Sequence, residues 1–303
     1  MKEITRLKSF VKGIINENEL MSKHTSYGIG GPASAFIVPK DRFDLSNILK
    51  FANKFSIPAY FIGSGSNLLV SDKGIYGLVL SPAKTLKLLV INSPYIDAEA
   101  GVMLGKLVKE TIKQNLTGLE SLVGVPGTLG GAITMNAGAF GGEISNYLIS
   151  VDVMRMNGDI YKYNAKDINF SYRNSSLKSD EFILSAKFIL NEEDPNLIQE
   201  KRIAASQGRK TNQPLRFRSA GSVFKNTPKY AAGYLIDRAG LKGTRIGDAE
   251  ISTHHANFFL NRGNATATEM LELIELTKST ILKKFNIKLE LELKTLGFNN
   301  MEN

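Results

Sequence analysis

Seven glycines fall between residues 124 and 142, and a second run, Gly63-Ser64-Gly65-Ser66-Asn67, stands directly behind the apolar Tyr60-Phe61-Ile62. Glycines this dense constrain the backbone before any side chain does, because they accept positive φ and let main chain approach a bound molecule closely. Successive bare N–H groups in such turns can form a concavity that holds a phosphate. The longer stretch reads Gly124-Val125-Pro126-Gly127-Thr128-Leu129-Gly130-Gly131, passes through residues 132–134, and continues Met135-Asn136-Ala137-Gly138-Ala139-Phe140-Gly141-Gly142. Either stretch alone is explained by ordinary tight turns. Two of them, both interleaved with hydroxyl and amide side chains, point to a diphosphate-linked cofactor, which offers many acceptors and needs as many donors.

A third glycine run is a decoy. Gly28-Ile29-Gly30-Gly31-Pro32-Ala33 satisfies G-x-G-x-x-A, the dinucleotide fingerprint. That fingerprint requires a strand before it and a helix beginning within it, so that the helix N-terminus meets the pyrophosphate. Residues 21–26 are polar and residues 35–38, just past the run, are strand-like, so no Rossmann site is expected here.

Composition sets the class. The chain has 303 residues, 43% hydrophobic and 22% charged, long enough for two or three packed modules. No apolar run approaches the roughly 18–20 residues that cross a bilayer. Residues 1–20 scatter Lys2, Glu3, Arg6, Lys8, Lys12, Glu17 and Glu19 among their apolar positions and do not read as a signal peptide. With no cysteine, disulfides, thiolate metal sites and a Cys nucleophile are all excluded. A cytoplasmic protein without membrane insertion is the expectation. The net charge of +9 fits either an anionic partner or a solvated lysine-rich surface. The excess is scattered, with no dense basic run carrying interleaved aromatics, so nucleic acid is not an expected partner.

Along the chain, β-like runs at 35–38, 60–62, 68–70, 77–80 and 87–91 alternate with tight turns. Helical periodicity interrupts at 44–55 and at 102–114, where Leu104, Leu107, Val108 and Ile112 share a face. Strands are expected again at 149–156 and 182–190, with a hairpin turn at Asn157-Gly158. The polar 191–195 reads as a boundary. Beyond it the pattern predicts a helix over 196–208, an irregular basic loop over 209–219, a strand at 222–224 and a helix at 230–239. A long helix is expected over 265–285, with Met270, Leu271, Ile274, Ile281 and Leu282 as its apolar stripe, and then a closing strand over 288–296. The class is α+β.

Three polar groups in the later chain carry chemistry. Arg173 sits in Ser171-Tyr172-Arg173-Asn174-Ser175, just past an apolar run. Ser219-Ala220-Gly221-Ser222-Val223-Phe224-Lys225-Asn226 places a hydroxyl, an amine and an amide together. Glu290 and Glu292 are two apart, so they face the side opposite Leu289, Leu291 and Leu293. Each has a plain alternative as a surface Arg, a turn Ser or a solvated Glu pair.

Taken in order, these motifs resemble the UDP-N-acetylenolpyruvoylglucosamine reductase family over about residues 25–297. The matching stretches are 30–33, 63–69, 124–141, 172–175, Gln213-Pro214, 219–226, 239–243, His255-Ala256-Asn257-Phe258 and the segment holding Glu292. The resemblance implies an FAD-binding fold of the vanillyl-alcohol-oxidase type over 1–195, with two α+β subdomains at about 1–80 and 81–195. It also implies an α+β substrate-binding domain over 196–303 that ends in a catalytic strand. Non-covalent FAD, NADPH as co-substrate and a nucleotide-sugar substrate are implied, with no metal, in a monomer. By the same resemblance Arg173, Ser222 and Glu292 are the catalytic set, with Ser222 the proton donor. Gly63, Ser64, Gly65, Ser66, Asn67, Gly124, Pro126, Gly127, Gly130, Gly131, Asn136, Ala137 and Gly138 form the flavin cradle. Tyr172, Lys225, Asn226 and His255 fall where the family contacts substrate.

The chemistry is consistent with those residue types. Hydride addition to an enol ether that bears a carboxylate drives negative charge toward the carboxylate, where a cation such as Arg173 stabilises it. The adjacent carbon then needs a proton, and a serine hydroxyl, a weak acid, needs help from Lys225 or Glu292 to give one. No tyrosine occurs between Tyr172 and Tyr230, so the chain resembles the shorter subclass that lacks a tyrosine-bearing substrate loop. Arg218, Thr227 and Leu291 stand where proline is commoner, which touches loop rigidity. Two rivals remain at this level: an FAD-dependent oxidase of the same fold, and a flavin-binding protein without catalysis.

Overall fold

The computed structural model describes residues 2–214 and 216–298. Leu215, inside the loop expected at 209–219, lies outside them, as do Met1 and residues 299–303 at the ends of the two assigned domains. In chain order the main elements are α1 (Lys2–Lys8), β1 (Ile14–Leu20), β2 (Pro32–Val38), α2 (Arg42–Lys54), β3 (Ala59–Phe61), β4 (Leu68–Val70), β5 (Ile75–Leu80), β6 (Leu89–Asn92) and β7 (Tyr95–Glu99). Then come α3 (Leu104–Lys113), α4 (Leu129–Thr134), β8 (Leu148–Arg155), β9 (Ile160–Asn164), β10 (Phe170–Ser171), β11 (Asn174–Ser175), β12 (Glu181–Ile189) and α5 (Pro195–Asn212). The last elements are α6 (Ala232–Arg238), β13 (Arg245–Ile246), β14 (Ala249–Ile251), β15 (Phe259–Asn261), α7 (Ala267–Phe285) and β16 (Lys294–Leu296). The α+β class expected from the sequence is the class observed.

The chain forms two compact units, neither a single stretch: residues 1–17, 35–64 and 77–208 make the first, and 18–34, 65–76 and 209–303 the second.

In the first unit, strands run in the order β9-β8-β12-β7-β6, every neighbouring pair antiparallel. The long β8 and β12 are buried at most positions. Leu104, Leu107, Val108 and Ile112 of α3 are all buried in the core this sheet helps to build, as their spacing predicts. A smaller core gathers Ile37, Leu45, Ile48, Leu49, Leu78 and Leu80. Here Asp44 of α2 is 1% exposed and accepts from the main-chain N–H groups of Lys12, Gly13 and Lys40 at 2.8–2.9 Å. A buried carboxylate is tolerated because those donors replace water.

In the second unit, α7 opens on a capping box. Thr266 Oγ1 accepts from the Glu269 N–H, and the Glu269 carboxylate accepts from the Thr266 N–H. Asp72 adds to the same helix start by accepting from the Ala267 and Thr268 N–H groups. The apolar stripe differs from the expected one. Met270, Leu273, Ile274, Thr277 and Ile281 are buried, whereas Leu271 is only partly so and Leu282 is 50% exposed. Steps of three and four residues from Met270 define one face, and Leu271 and Leu282 lie about 100° off it.

Two expected strands are corrected. Residues 222–224 form no ladder strand, and the closing strand shrinks to β16, so Glu292 precedes it. The reason is that 222–225 bridges two irregular partners at single points: Ser222 pairs with Phe258 and Phe224 with Leu291.

The decoy run behaves as expected. A 3₁₀ turn (Met21–His24) precedes it and β2 begins within its end, and the Gly31 N–H donates to Ser71 O at 2.9 Å. No helix begins there.

Candidate active site

The first unit holds the longer glycine stretch and the Arg173 hairpin. Residues 63 and 128 bring the two glycine loops together, since a Cβ on Gly63 would lie 2.3 Å from Thr128 Oγ1. Thr128 is the N-cap of α4, which contains Gly130 and Gly131, and Gly130 N–H donates to Ala100 O. Gly124, with φ 74°, and Gly127 shape the turn before it, with Pro126 between them, and Gly127 O accepts from Leu104 N–H. Past α4, Asn136 is fully buried at φ 42° and its Nδ2 donates to Glu143 Oε2 (2.7 Å) and Ser171 O (3.2 Å). Ala137 N–H donates back to Ala132 O, and Ala137 O accepts from Ile144 N–H.

Tyr172 and Arg173 form the turn between β10 and β11. Arg173 sits at φ 56°, a left-handed conformation that non-glycine residues rarely adopt, and such strain clusters at functional sites. Its Nη2 donates to Gly138 O at 2.8 Å and its guanidinium lies 4.9 Å from the centroid of the Tyr172 ring. Ser175 Oγ donates to Thr134 O. The hairpin is therefore hung on the second glycine loop by side chains from both.

The second unit holds the rest. Gly65, at φ 67°, would drive a Cβ to 1.9 Å from His24 O, so only glycine fits there. Ser66 and Asn67 come next in the chain, and Asn67 Nδ2 donates to Glu292 O. Ser222, Val223 and Lys225 lie between two extended segments: Val223 N–H donates to Asn257 O on one side, and Glu292 N–H donates to Val223 O on the other. Lys225 N–H donates to Glu290 O and its ammonium lies 3.7 Å from the Glu290 carboxylate. Partial burial, with the Lys225 charge added, pushes the Lys294 ammonium below its usual range. Ser222, Lys225, Glu292 and Lys294 thus share one neighbourhood, and the Glu290/Glu292 alternation against buried Leu289 and Leu293 is as read from sequence.

Asn226 and His255 meet α6 instead. Asn226 Oδ1 accepts from Ala232 N–H, and a Cβ on Gly233 would lie 3.2 Å from His255 Cε1. Burial pushes the His255 imidazole below its ordinary value, in keeping with an unprotonated Nδ1 that accepts from Asn257 N–H.

Three polar atoms test whether these loops suit a flavin nucleotide. Ser64 Oγ, Ser121 Oγ and Asn136 Oδ1 are buried in the first unit with no hydrogen-bond partner among the described residues. Natively orphaned polar groups are rare and costly, so they imply an external partner. Two hydroxyl donors and an amide acceptor suit a ligand with phosphate oxygens and a ring imide N–H. The residues fit the group. Sequence reasoning misses Ser121, Thr128 and Glu143. Ser121 stands three residues before Gly124, but only packing shows its hydroxyl against Gly142, whose Cβ would meet it at 2.4 Å. Among the described residues no group of His, Asp and Glu is placed to hold a metal ion, and no helix is long and apolar enough to cross a membrane.

Comparisons with known proteins place this geometry. Residues 33–164 match the model of an FAD binding domain, and residues 213–296 that of the UDP-N-acetylenolpyruvoylglucosamine reductase C-terminal domain. A UDP-N-acetylenolpyruvoylglucosamine reductase of Clostridium novyi is 41% identical over 284 residues, 93% of this chain and 92% of that one. One of Caldanaerobacter subterraneus subsp. tengcongensis is 41% identical over 296 residues, 97% of this chain and 98% of the other. The crystal structure of a UDP-N-acetylenolpyruvylglucosamine reductase from Thermus caldophilus superposes with a TM-score of 0.80 at 35% identity, covering 94% of this chain and all of that one. With such identity across both domains, this chain belongs to the UDP-N-acetylenolpyruvoylglucosamine reductase family.

Proposed function

We propose that this chain is an NADPH-dependent, FAD-containing reductase that converts UDP-N-acetylglucosamine enolpyruvyl ether to UDP-N-acetylmuramate during peptidoglycan precursor synthesis. The observation that carries the reading is kinship to reductases of that name over more than nine-tenths of the chain. The buried, partnerless Ser64, Ser121 and Asn136 atoms support the cofactor. On this reading 1–195 binds FAD and 196–303 binds substrate, in a cytoplasmic monomer.

FAD, when bound, supplies the two-electron relay from NADPH to the enolpyruvyl carbon. The chain supplies the rest. Residues 63–67 and 124–138, with Ser121, would hold the cofactor through main-chain N–H groups and the orphaned side-chain atoms. Arg173 takes the substrate carboxylate, where negative charge grows, and the Nη2 bond to Gly138 O holds its guanidinium in place beforehand. Ser222 gives a proton to the carbon beside the one that receives hydride. Its neighbours Lys225 and Glu292 set the local charge, and one of them returns a proton to the Ser222 oxygen. Tyr172, Asn226 and His255 complete the substrate contacts.

The test is NADPH consumption by purified protein with and without the enolpyruvyl nucleotide sugar. Consumption that depends on the sugar and yields UDP-N-acetylmuramate is expected. Equal consumption in both, with hydrogen peroxide as product, would assign an oxidase instead.

A further inference from the structure

Tyr230 and Tyr234 have their rings stacked at 6.1 Å between centroids and 17° between planes, yet they are 45% and 54% exposed. A tyrosine pair that covers so little of itself or of the core contributes little to the fold. Tyrosine is large and rigid, and its aromatic face suits another π system. The pair is also held in place. Thr227 N–H and Thr227 Oγ1 both donate to Tyr230 O, and Tyr230 N–H donates to Thr227 Oγ1, so the 227–230 turn is closed on itself. Asn226 Oδ1 then caps the start of α6 at Ala232, and Tyr234 lies in the first turn of that helix. An exposed aromatic stack held by a closed turn matches a flat base.

We propose that Tyr230 and Tyr234 form the platform on which the pyrimidine base of the nucleotide sugar stacks. This rests on the functional reading above. The base extends the tyrosine stack. Because the turn is closed before ligand arrives, little ordering entropy is lost on binding.

The experiment uses the holoprotein and UDP, which carries base and diphosphate but neither the sugar nor the reacting group. The chain has ten tyrosines and no tryptophan, so intrinsic emission reports tyrosine alone. Y230A and Y234A each raise the calorimetric Kd for UDP by about 5- to 100-fold, the range that loss of one base–aromatic stack produces. Y230F and Y234F stay within about twofold of the parent, because the ring face survives. UDP quenches tyrosine emission in the parent and not in the double alanine variant. In turnover KM for the nucleotide sugar rises while kcat holds. A double alanine variant that melts at the parent temperature and binds UDP with the parent Kd overturns the platform alone. A parent protein that binds no UDP overturns the functional reading and the platform with it.

Discussion

Asn67 donates from Nδ2 to the main-chain carbonyl of Glu292 at 3.1 Å, across 225 residues of sequence. Lys294 N–H returns a bond to Asn67 O, and β4 then pairs in parallel with β16 from Leu68 and Lys294 onward. The last residue of the first glycine loop thus fixes the backbone of the candidate catalytic carboxylate. A loop read from sequence as a cofactor cradle is tied to the main chain of a residue read from sequence as catalytic.

Asn67→Ala should therefore act on Glu292 as well as on the fold. One net hydrogen bond of about 1 kcal/mol is lost, which lowers Tm by about 2 °C in a protein of this size. Turnover should drop by more than that small stability change implies. Calorimetry alongside steady-state kinetics checks both, and a variant with a lowered Tm but parent kcat would leave Asn67 a purely structural tie.

The orphaned atoms give a prediction about the cofactor. The protein should purify yellow, with FAD released on denaturation, since no cysteine is available for attachment. Ser64→Ala and Ser121→Ala should each weaken FAD retention, by the roughly 1–3 kcal/mol that an unmatched polar partner costs. Flavin release on dilution, tracked by fluorescence, measures this. Retention equal to the parent in both variants would mean that these hydroxyls do not meet the cofactor.

Arg173→Ala and Glu292→Ala should keep flavin but lose substrate reduction. Arg173 has one readable complication, its bond to Gly138 O in the second glycine loop. Arg173→Lys keeps the charge and loses the planar fork, so it should retain flavin and still turn over poorly. Flavin content measured beside turnover separates the two roles. Loss of flavin from both alanine variants, with normal turnover once FAD is restored, would contradict the assignment.

His255 makes stability depend on pH. Burial lowers its pKa in the fold, so between that lowered value and its ordinary value near 6.5 the unfolded chain binds more protons than the native one. Its contribution is complete above pH about 6.5 and is lost as pH falls through the folded value. Tm should decline on that acid side in the parent, and the decline should be shallower in His255→Gln. Parallel Tm profiles for the two proteins would rule the imidazole out as the source.

The legible parts of the molecule are those where period and burial coincide. The face of α3 and the Glu290/Glu292 alternation can be read because each has a single buried side. β1 cannot, since Ile14–Leu20 carries no buried position and its polar pattern resembles a loop. The 222–224 segment reads as a strand because it is apolar in part, but single bridges from Ser222 to Phe258 and from Phe224 to Leu291 leave no trace in sequence. Ser121, Thr128 and Glu143 are invisible for a related reason: their roles depend on which backbone they fold against. Arg173 is legible as a cation beyond a short strand, but not as a residue in a left-handed turn.

Ser222 gives the sharpest prediction, because its two possible roles differ in which half of the reaction they touch. The residue is only half-buried, and it pairs with Phe258 while its neighbour Val223 accepts from Glu292 N–H. If Ser222 merely shapes that crossing, alanine costs at most about 0.5–2 kcal/mol of stability, and both half-reactions keep their rates. If it is the proton donor, the flavin still bleaches with NADPH at nearly the parent rate, since that step needs no proton from the protein. Reoxidation by the enolpyruvyl nucleotide sugar then slows by the roughly 10²–10⁴-fold typical of a positioned general acid. Stopped-flow absorbance in the oxidised-flavin band tracks both halves in a single instrument. Reoxidation of Ser222→Ala at the parent rate would remove Ser222 from the chemistry and leave Lys225 or Glu292 as the group that must supply the proton.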